Sequence, residues 1–173
     1  MPAHTPVQQR AKVLIIGTGN ELMSDEGVGV AVARALMKEE LPAGVQIVDA
    51  GCALLDVLAG ARDYRRLIIV DAVRAGGAPG DVYRIEWGEM KDAVKKRWSF
   101  TSAHGIDLPA SIAMTELAGT TLPPITIIGV EPGKVEFGAD LSDVLKLRLP
   151  RIVDLVKREL ALHQEDGGDC TSS

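Results

Sequence analysis

The stretch VLIIGTGNELMSDEGVGV, residues 13–30, decides the fold. It opens with a short aliphatic run that ends at Gly17, a pattern typical of a strand buried on both faces. Apolar residues then recur at helical spacing over residues 27–40. A buried strand followed at once by a helix favours an α/β fold.

The same alternation continues along the chain. Further strands are predicted at residues 45–50 (VQIVDA), 66–73 (RLIIVDAV) and 125–130 (ITIIGV), and helices at residues 54–61, 107–118 and 141–162. Pro109 falls in the first turn of its helix, where proline is tolerated, whereas Pro150 is expected to bend the last helix.

One strand differs from the others. Residues 81–87 (DVYRIEW) alternate in polarity, which indicates an edge strand with one solvated face. We therefore expect a three-layer α/β/α sandwich around a twisted, mostly parallel sheet of about five strands, with one antiparallel strand at its edge.

The length of 173 residues fits one domain. We assign residues 12–163 to it, residues 1–11 to a flexible arm, and the polar residues 164–173 to a disordered tail.

Composition excludes several functions. A net charge of −5 and an aromatic content of 3% argue against a nucleic-acid partner. No apolar run approaches the ~18 residues that span a bilayer, so no membrane partner is expected. Two cysteines, Cys52 and Cys170, are too few for a disulfide framework, and no secretory signal precedes residue 12. The sequence predicts a cytoplasmic protein.

Parallel sheets bind ligands beyond the carboxyl ends of their strands. Four polar segments are expected at this edge: residues 17–29, 49–52, 71–74 and 102–107. The first begins like a dinucleotide fingerprint, but Leu22 replaces its third glycine, and the acidic residue expected about 20 positions on is missing. A nucleotide site is the weaker interpretation.

Each acidic residue in these segments has a structural and a functional interpretation. Asp25 stands where a helix begins and is expected to cap it. Glu26 is flanked by glycines that are expected to leave its carboxylate open above the sheet. Asp49 and Asp71 each follow an aliphatic run, and both are suited either to capping a loop or to chemistry.

His104 is the most informative histidine, because His4 and His163 lie near the two ends of the chain. It lies in SAHGID, in the approach to a helix, which is a common position for a functional residue. With Glu26 and Asp71 it makes a set of two oxygen donors and one nitrogen donor, which suits nickel or zinc with open coordination positions. Spacing alone leaves the metal interpretation no stronger than its structural alternative.

In combination, GTGNELMSDEGVGV, LIIVDAV, SAHGIDL and ITIIGVEP closely resemble the hydrogenase maturation protease family. The resemblance runs in order over residues 13–160, and its G-x-G-N-x-x-x-x-D-E-G-x-G pattern is the specific part. It implies an endopeptidase that removes the C-terminal extension of the large-subunit precursor of a nickel–iron hydrogenase after nickel insertion.

The resemblance also implies roles for particular residues. Glu26, Asp71 and His104 are expected to contact the metal and to be the catalytic residues, and we assign Asp25 and Asp49 to substrate binding. The nickel is expected to arrive with the substrate, and zinc or cadmium to substitute in vitro.

The chain departs from the family at residues 49–52, where DAGC replaces the usual pattern ending in threonine. Cys52 as a nucleophile is disfavoured, because no second histidine is evident to activate it. Three other functions stay open: a nickel-sensing chaperone that does not cleave, a small-molecule or nucleotide-binding enzyme, and a protease on the same fold with a different substrate.

Overall fold

The computed structural model of the protein describes residues 13–90, 99–100 and 107–165. The described strands are β1 (Val13–Thr18), β2 (Val45–Gly51), β3 (Arg66–Arg74), β4 (Val82–Glu86), β5 (Ser99–Phe100) and β6 (Ile125–Val130). The α-helices are α1 (Val28–Leu36), α2 (Leu54–Ala59), α3 (Leu108–Leu117) and α4 (Asp143–Glu165), and short 3-10 turns cover Ser24–Gly27, Ala61–Asp63 and Trp87–Met90.

The strands form one mixed sheet in the order β2-β1-β3-β6-β4. The first four of these are parallel, and β4 runs antiparallel to β6 at the edge. This confirms the predicted parallel sheet with one antiparallel edge strand. The two-residue β5 was not predicted; it pairs antiparallel with the last residues of β3.

Helices cover both faces of the sheet, as predicted. Alternate residues of β1 divide between two aliphatic cores: Leu14 and Ile16 pack with α2 and α3, whereas Val13 and Ile15 pack with α1 and α4. Every residue of β1 and β6 is buried, as expected of central strands in a three-layer sandwich.

Glycines let α1 lie against the sheet almost backbone to backbone. A Cβ added at Gly29 would stand 2.2 Å from the Val70 carbonyl oxygen and 2.3 Å from that of Thr18. A Cβ at Gly17 would lie 2.2 Å from the Gly29 oxygen. Gly17, the first glycine of the stretch that resembles a nucleotide fingerprint, therefore serves close strand–helix packing in this fold.

Two helix ends differ most from the expectations. Helix α1 ends at Leu36 rather than near residue 40, because the following residues bring no apolar side chain to the sheet and Met37 is exposed. Helix α4 keeps Pro150 inside it and runs on to Glu165. The predicted arm, and the predicted tail from residue 166 onward, lie outside the described residues.

Candidate functional site

The parallel strands β2 and β3 carry the expected acidic residues, Asp49 and Asp71, toward their carboxyl ends. Strand register sets Gly17 of β1 beside Asp49 of β2 and Val70 of β3, and Asp71 beside Gly129 of β6. Asp71 lies inside β3 rather than at its end, because β6 and then β5 pair with residues beyond it.

Glu26 lies in the 3-10 turn Ser24–Gly27, directly before α1. Its side chain is buried, with 2% relative exposure, so the expectation of an open carboxylate was wrong. The turn folds back tightly on β1: Gly19 has φ +134, and a Cβ there would lie 1.9 Å from the Glu26 carbonyl oxygen. The same added Cβ would lie 3.8 Å from Asp71 Oδ1, so the Glu26 backbone and the Asp71 carboxylate both lie beside Gly19.

Asp71 is buried, and its Oδ1 accepts a hydrogen bond of 2.8 Å from the Ala72 amide. Burial raises the pKa of Asp71 well above its usual value, and the negative charges of Glu26 and Asp107 raise it further, against the opposing hydrogen bond from Ala72. Two buried acids that interact electrostatically at the carboxyl edge of a parallel sheet are typical of a functional site.

The third predicted ligand, His104, lies outside the described residues. The described end of its motif does reach the site: Asp107 caps α3 by accepting a 2.8 Å bond from the Ala110 amide. The charge of Asp107 acts on Asp71. On the other side of the gap, Phe100 pairs with Val73 of β3.

Asp25 does not cap a helix, because its carboxylate makes no capping bond and binds the β6–α4 loop (residues 131–142) instead. Oδ2 accepts from the amides of Gly133 (2.9 Å) and Lys134 (2.7 Å) and from the Ser142 hydroxyl (2.8 Å), while Oδ1 accepts from the Ser142 amide (2.7 Å). Asp25 has 0% exposure, so a substrate reaches this carboxylate only if the loop moves.

Asp49 is hydrogen-bonded to α1 through Arg34. Its Oδ2 accepts a 2.7 Å bond from Arg34 Nε, and Arg34 also forms an ion pair with Glu21. Oδ1 accepts from the Gly51 amide at 3.2 Å. In the described structure Asp49 thus holds the turn after β2 and the surface of α1; its assignment to substrate binding stays a prediction.

Cys52 lies at the same edge, where its thiol approaches the Gly19 carbonyl at 3.8 Å. Partial desolvation raises the pKa of Cys52, and the charges of Glu26 and Glu21 raise it further. A raised pKa keeps the thiol protonated, which disfavours its use as a nucleophile.

Sequence reasoning missed Glu131. Its buried carboxylate accepts bonds from the Ala75 amide (2.8 Å), the Gly77 amide (3.2 Å) and the Tyr83 hydroxyl (2.9 Å). Burial and this bond raise the pKa of Tyr83 to about 12. The rule that drew attention to Asp49 and Asp71, an acid following an aliphatic run, would have found Glu131 after ITIIGV.

Comparison with known proteins decides the family. A family model described as hydrogenase maturation protease matches residues 30–159. The chain belongs to the hydrogenase maturation protease family. Membership confirms the predicted α/β fold, and it confirms that the chain is a peptidase of hydrogenase maturation.

Individual relatives agree with this membership. The chain is 30% identical over 162 residues to the hydrogenase expression/formation protein HupD of Rhodobacter capsulatus, covering 92% of this chain and 74% of that one. It is 28% identical to the hydrogenase 2 maturation protease of Escherichia coli, covering 90% and 93%. The hydrogenase maturating endopeptidase HybD from E. coli superposes with a TM-score of 0.71 at 27% identity, covering 90% and 94%.

This hydrogenase maturation protease carries a second cluster of ligand-type side chains, formed by Glu86, Glu159 and His163. The carboxylates of this cluster are paired with an arginine. Arg84 donates to both oxygens of Glu159 at 2.6 and 2.8 Å, and to Glu86 at 2.6 Å. Because Glu86 pairs with Thr126, the cluster lies toward the amino end of β6, away from the candidate site. We interpret it as an ion-pair network that joins β4 to α4.

Within the described residues, none of the helices is both long enough and apolar enough to cross a membrane.

Proposed function

We propose that this protease removes the C-terminal extension from the large-subunit precursor of a nickel–iron hydrogenase once nickel is in place. Family membership gives the proteolytic step in hydrogenase maturation. The observation that carries the finer proposal is the pair of buried, interacting acids, Glu26 and Asp71, at the carboxyl edge of the sheet.

Two adjacent carboxylates provide the oxygen donors that a divalent cation requires. In the absence of a cation, burial of Asp71 beside Glu26 disfavours its ionised form, which is the physical reason for its raised pKa. A cation delivered by the precursor would neutralise this repulsion. We therefore treat nickel as part of the substrate, recognised by Glu26 and Asp71, and expect zinc or cadmium to replace it in vitro.

His104 completes the proposed ligand set as the nitrogen donor. The described residues on either side of its segment support this, since Phe100 pairs with the end of β3 and Asp107 acts electrostatically on Asp71. Residues 101–106, which include His104, separate these two described positions in the chain.

Peptide hydrolysis then needs an activated water, because the thiol at this edge of the described structure, Cys52, has a raised pKa. Burial raises the pKa of Asp71, so its carboxylate accepts a proton more readily than an exposed aspartate, and we assign Asp71 as the general base. Metal coordination by the precursor's nickel would lower the pKa of the attacking water.

The rival functions have less support. Membership in a protease family favours an enzyme over a chaperone that only senses nickel. A nucleotide site at Gly17 and Gly19 is disfavoured, since the space above both glycines is filled by backbone of Gly29 and Glu26. A cytoplasmic site of action is part of the proposal and rests on the sequence.

In the decisive experiment, the protein is incubated separately with nickel-loaded and nickel-free precursor. Mass spectrometry then measures the mass of the large subunit. We expect the loaded precursor alone to lose its extension. Cleavage of both forms would remove the proposed role of nickel, and cleavage of neither would overturn the proposed substrate.

A further inference from the structure

We infer that Asp25 is a positioning residue for Glu26: it locks the 3-10 turn Ser24–Gly27 to the β6–α4 loop and so fixes where the Glu26 carboxylate stands. This inference rests on the proposed function, because it concerns the same site. It differs from the substrate-binding role expected for Asp25 from the sequence.

The hydrogen bonds of Asp25 carry the inference. All four of the bonds to its carboxylate join Asp25 to the loop: the amides of Gly133 and Lys134 and both donors of Ser142 lie within 2.9 Å of its oxygens. The Asp25 amide in turn donates to the Lys134 carbonyl at 3.0 Å. Asp25 has 0% exposure and several hydrogen-bond partners within the protein, so its side chain serves to hold the structure together.

Its neighbour Ser24 is held by the same loop. The Ser24 amide donates to the Gly138 carbonyl at 2.7 Å, and its hydroxyl donates to the Glu136 carbonyl at 3.1 Å. Ser24 has φ +49, the positive value that non-glycine residues adopt reluctantly, and it is the one such residue in the described part of the chain. A strained backbone persists where surrounding bonds over-determine it, often beside a functional residue.

Glu26 follows these two residues directly, so its position depends on theirs. On its other side the turn meets Gly19, directly after β1, where a side chain would overlap the Glu26 carbonyl. The turn is thus held between β1 and the β6–α4 loop. Because a misplacement of about 1 Å can slow a reaction about a hundredfold, loss of the loop contact is expected to impair Glu26 without removing it.

The test compares Asp25→Asn with a control of similar burial. Asparagine keeps the shape but retains one acceptor oxygen, so it cannot accept from all the amides that meet the carboxylate. The control is Glu159→Gln, because Glu159 is also buried and also accepts from several donors, yet lies toward the amino end of β6. Ser142→Ala is a milder variant, which removes only the hydroxyl contact.

Two measurements are made on the full chain, at a temperature where every variant is folded. Amide hydrogen exchange reports on residues 24–27 and 131–142 without any substrate. Cleavage of nickel-loaded precursor gives kcat and KM separately. For Asp25→Asn we expect faster exchange confined to those two segments and a kcat at least tenfold lower, with a smaller change in KM; Ser142→Ala should fall in between.

The outcomes separate this inference from the proposed function. A wild-type kcat in folded Asp25→Asn would overturn it. An equal loss of kcat in Glu159→Gln would also overturn it, because general destabilisation would then explain the effect. If Asp25→Asn does not fold, Ser142→Ala decides alone by the same criteria. If the wild type cleaves no precursor, the proposed function fails, and amide hydrogen exchange still tests the role of Asp25. Faster exchange of both segments in Asp25→Asn supports the link between the turn and the loop, and unchanged exchange refutes it.

Discussion

The Asp71 carboxylate and the Glu26 backbone both lie beside Gly19, although they belong to different elements, β3 and the turn before α1, and the charge of Glu26 acts on Asp71. Both are shielded from solvent. Burying two acids together is unfavourable unless they are protonated or a cation joins them. The site therefore lowers the free energy of unfolding of the metal-free protein, and this effect can be measured.

Asp71→Asn should raise the free energy of unfolding at neutral pH and lower the cleavage rate about a hundredfold or more. The asparagine removes a buried charge and keeps an oxygen that can accept from Ala72. The pKa of an unfolded aspartate is about 3.9, whereas burial raises the pKa of folded Asp71. The folded state therefore keeps its proton to higher pH, and the stability of the wild type falls as pH rises from about 3.9 through the raised value.

Urea unfolding of wild type and Asp71→Asn across that pH range measures the effect. The difference in unfolding free energy between the two proteins should grow with pH and become constant above the folded pKa. A difference that does not change with pH would show that Asp71 is not destabilised by ionisation.

Glu26→Gln should abolish processing, with a loss of about a hundredfold or more, because an amide is a poor ligand and no base. Glu21→Gln is the matched control: Glu21 precedes the same turn, but its exposed pair with Arg34 contributes little to stability. We expect the control to cleave within about twofold of wild type. Comparable losses in both variants, measured with nickel-loaded precursor, would argue against a specific role for Glu26.

His104→Ala should fold normally and fail to process nickel-loaded precursor. The reason is the loss of the nitrogen donor of the proposed ligand set. His163→Ala is the control, since His163 belongs to the Glu159 network on α4. Circular dichroism checks the fold and mass spectrometry checks cleavage; full processing by His104→Ala would remove it from the site.

Cys52→Ala and Cys52→Thr should both keep activity within about threefold of wild type. The thiol is neutral near pH 7, because the pKa of Cys52 is raised by desolvation and by the charges of Glu26 and Glu21. Alkylation by iodoacetamide should accordingly show a midpoint above the value of about 8.5 for a free cysteine. A folded Cys52→Ala variant that still bound metal but did not cleave would restore the nucleophile hypothesis.

Gly29→Ala should destabilise the protein by about 3 kcal/mol or more, since overpacking here meets backbone rather than side chains. Its Cβ would stand 2.2 Å from the Val70 oxygen. Gly60→Ala provides the contrast, because its nearest neighbour would be 3.8 Å away, and it should be neutral or slightly stabilising. Thermal unfolding compares them, and a stable Gly29→Ala would show that α1 can move away from the sheet.

The sequence predicted those features that depend on local pattern. The aliphatic runs of β1, β3 and β6 identify the central strands, because strands covered on both faces need continuous apolar side chains. The alternation in Val82–Glu86 identifies the edge strand. The acidic residues of the site follow from the rule that ligands bind at the carboxyl ends of strands.

Features that depend on distant contacts were not predictable in this way. Asp25 looked like a helix cap because its partners, Gly133 and Ser142, lie far along the chain. Glu26 looked open because the fold of the turn onto β1 is not encoded in glycine spacing. The pairing of β5 with β3 involves only two residues of β5, too few to produce a pattern.

At Gly17 and Gly29 the backbones of α1 and the sheet are in direct contact, and the Ala33 methyl group fills the space beside Gly17. Sliding or rolling of the helix would drive one backbone into another, so we expect α1 to keep its place during catalysis. The turn that carries Glu26 is attached to this immobile helix. We therefore expect α1 and the turn that carries Glu26 to present a rigid template to the proposed precursor.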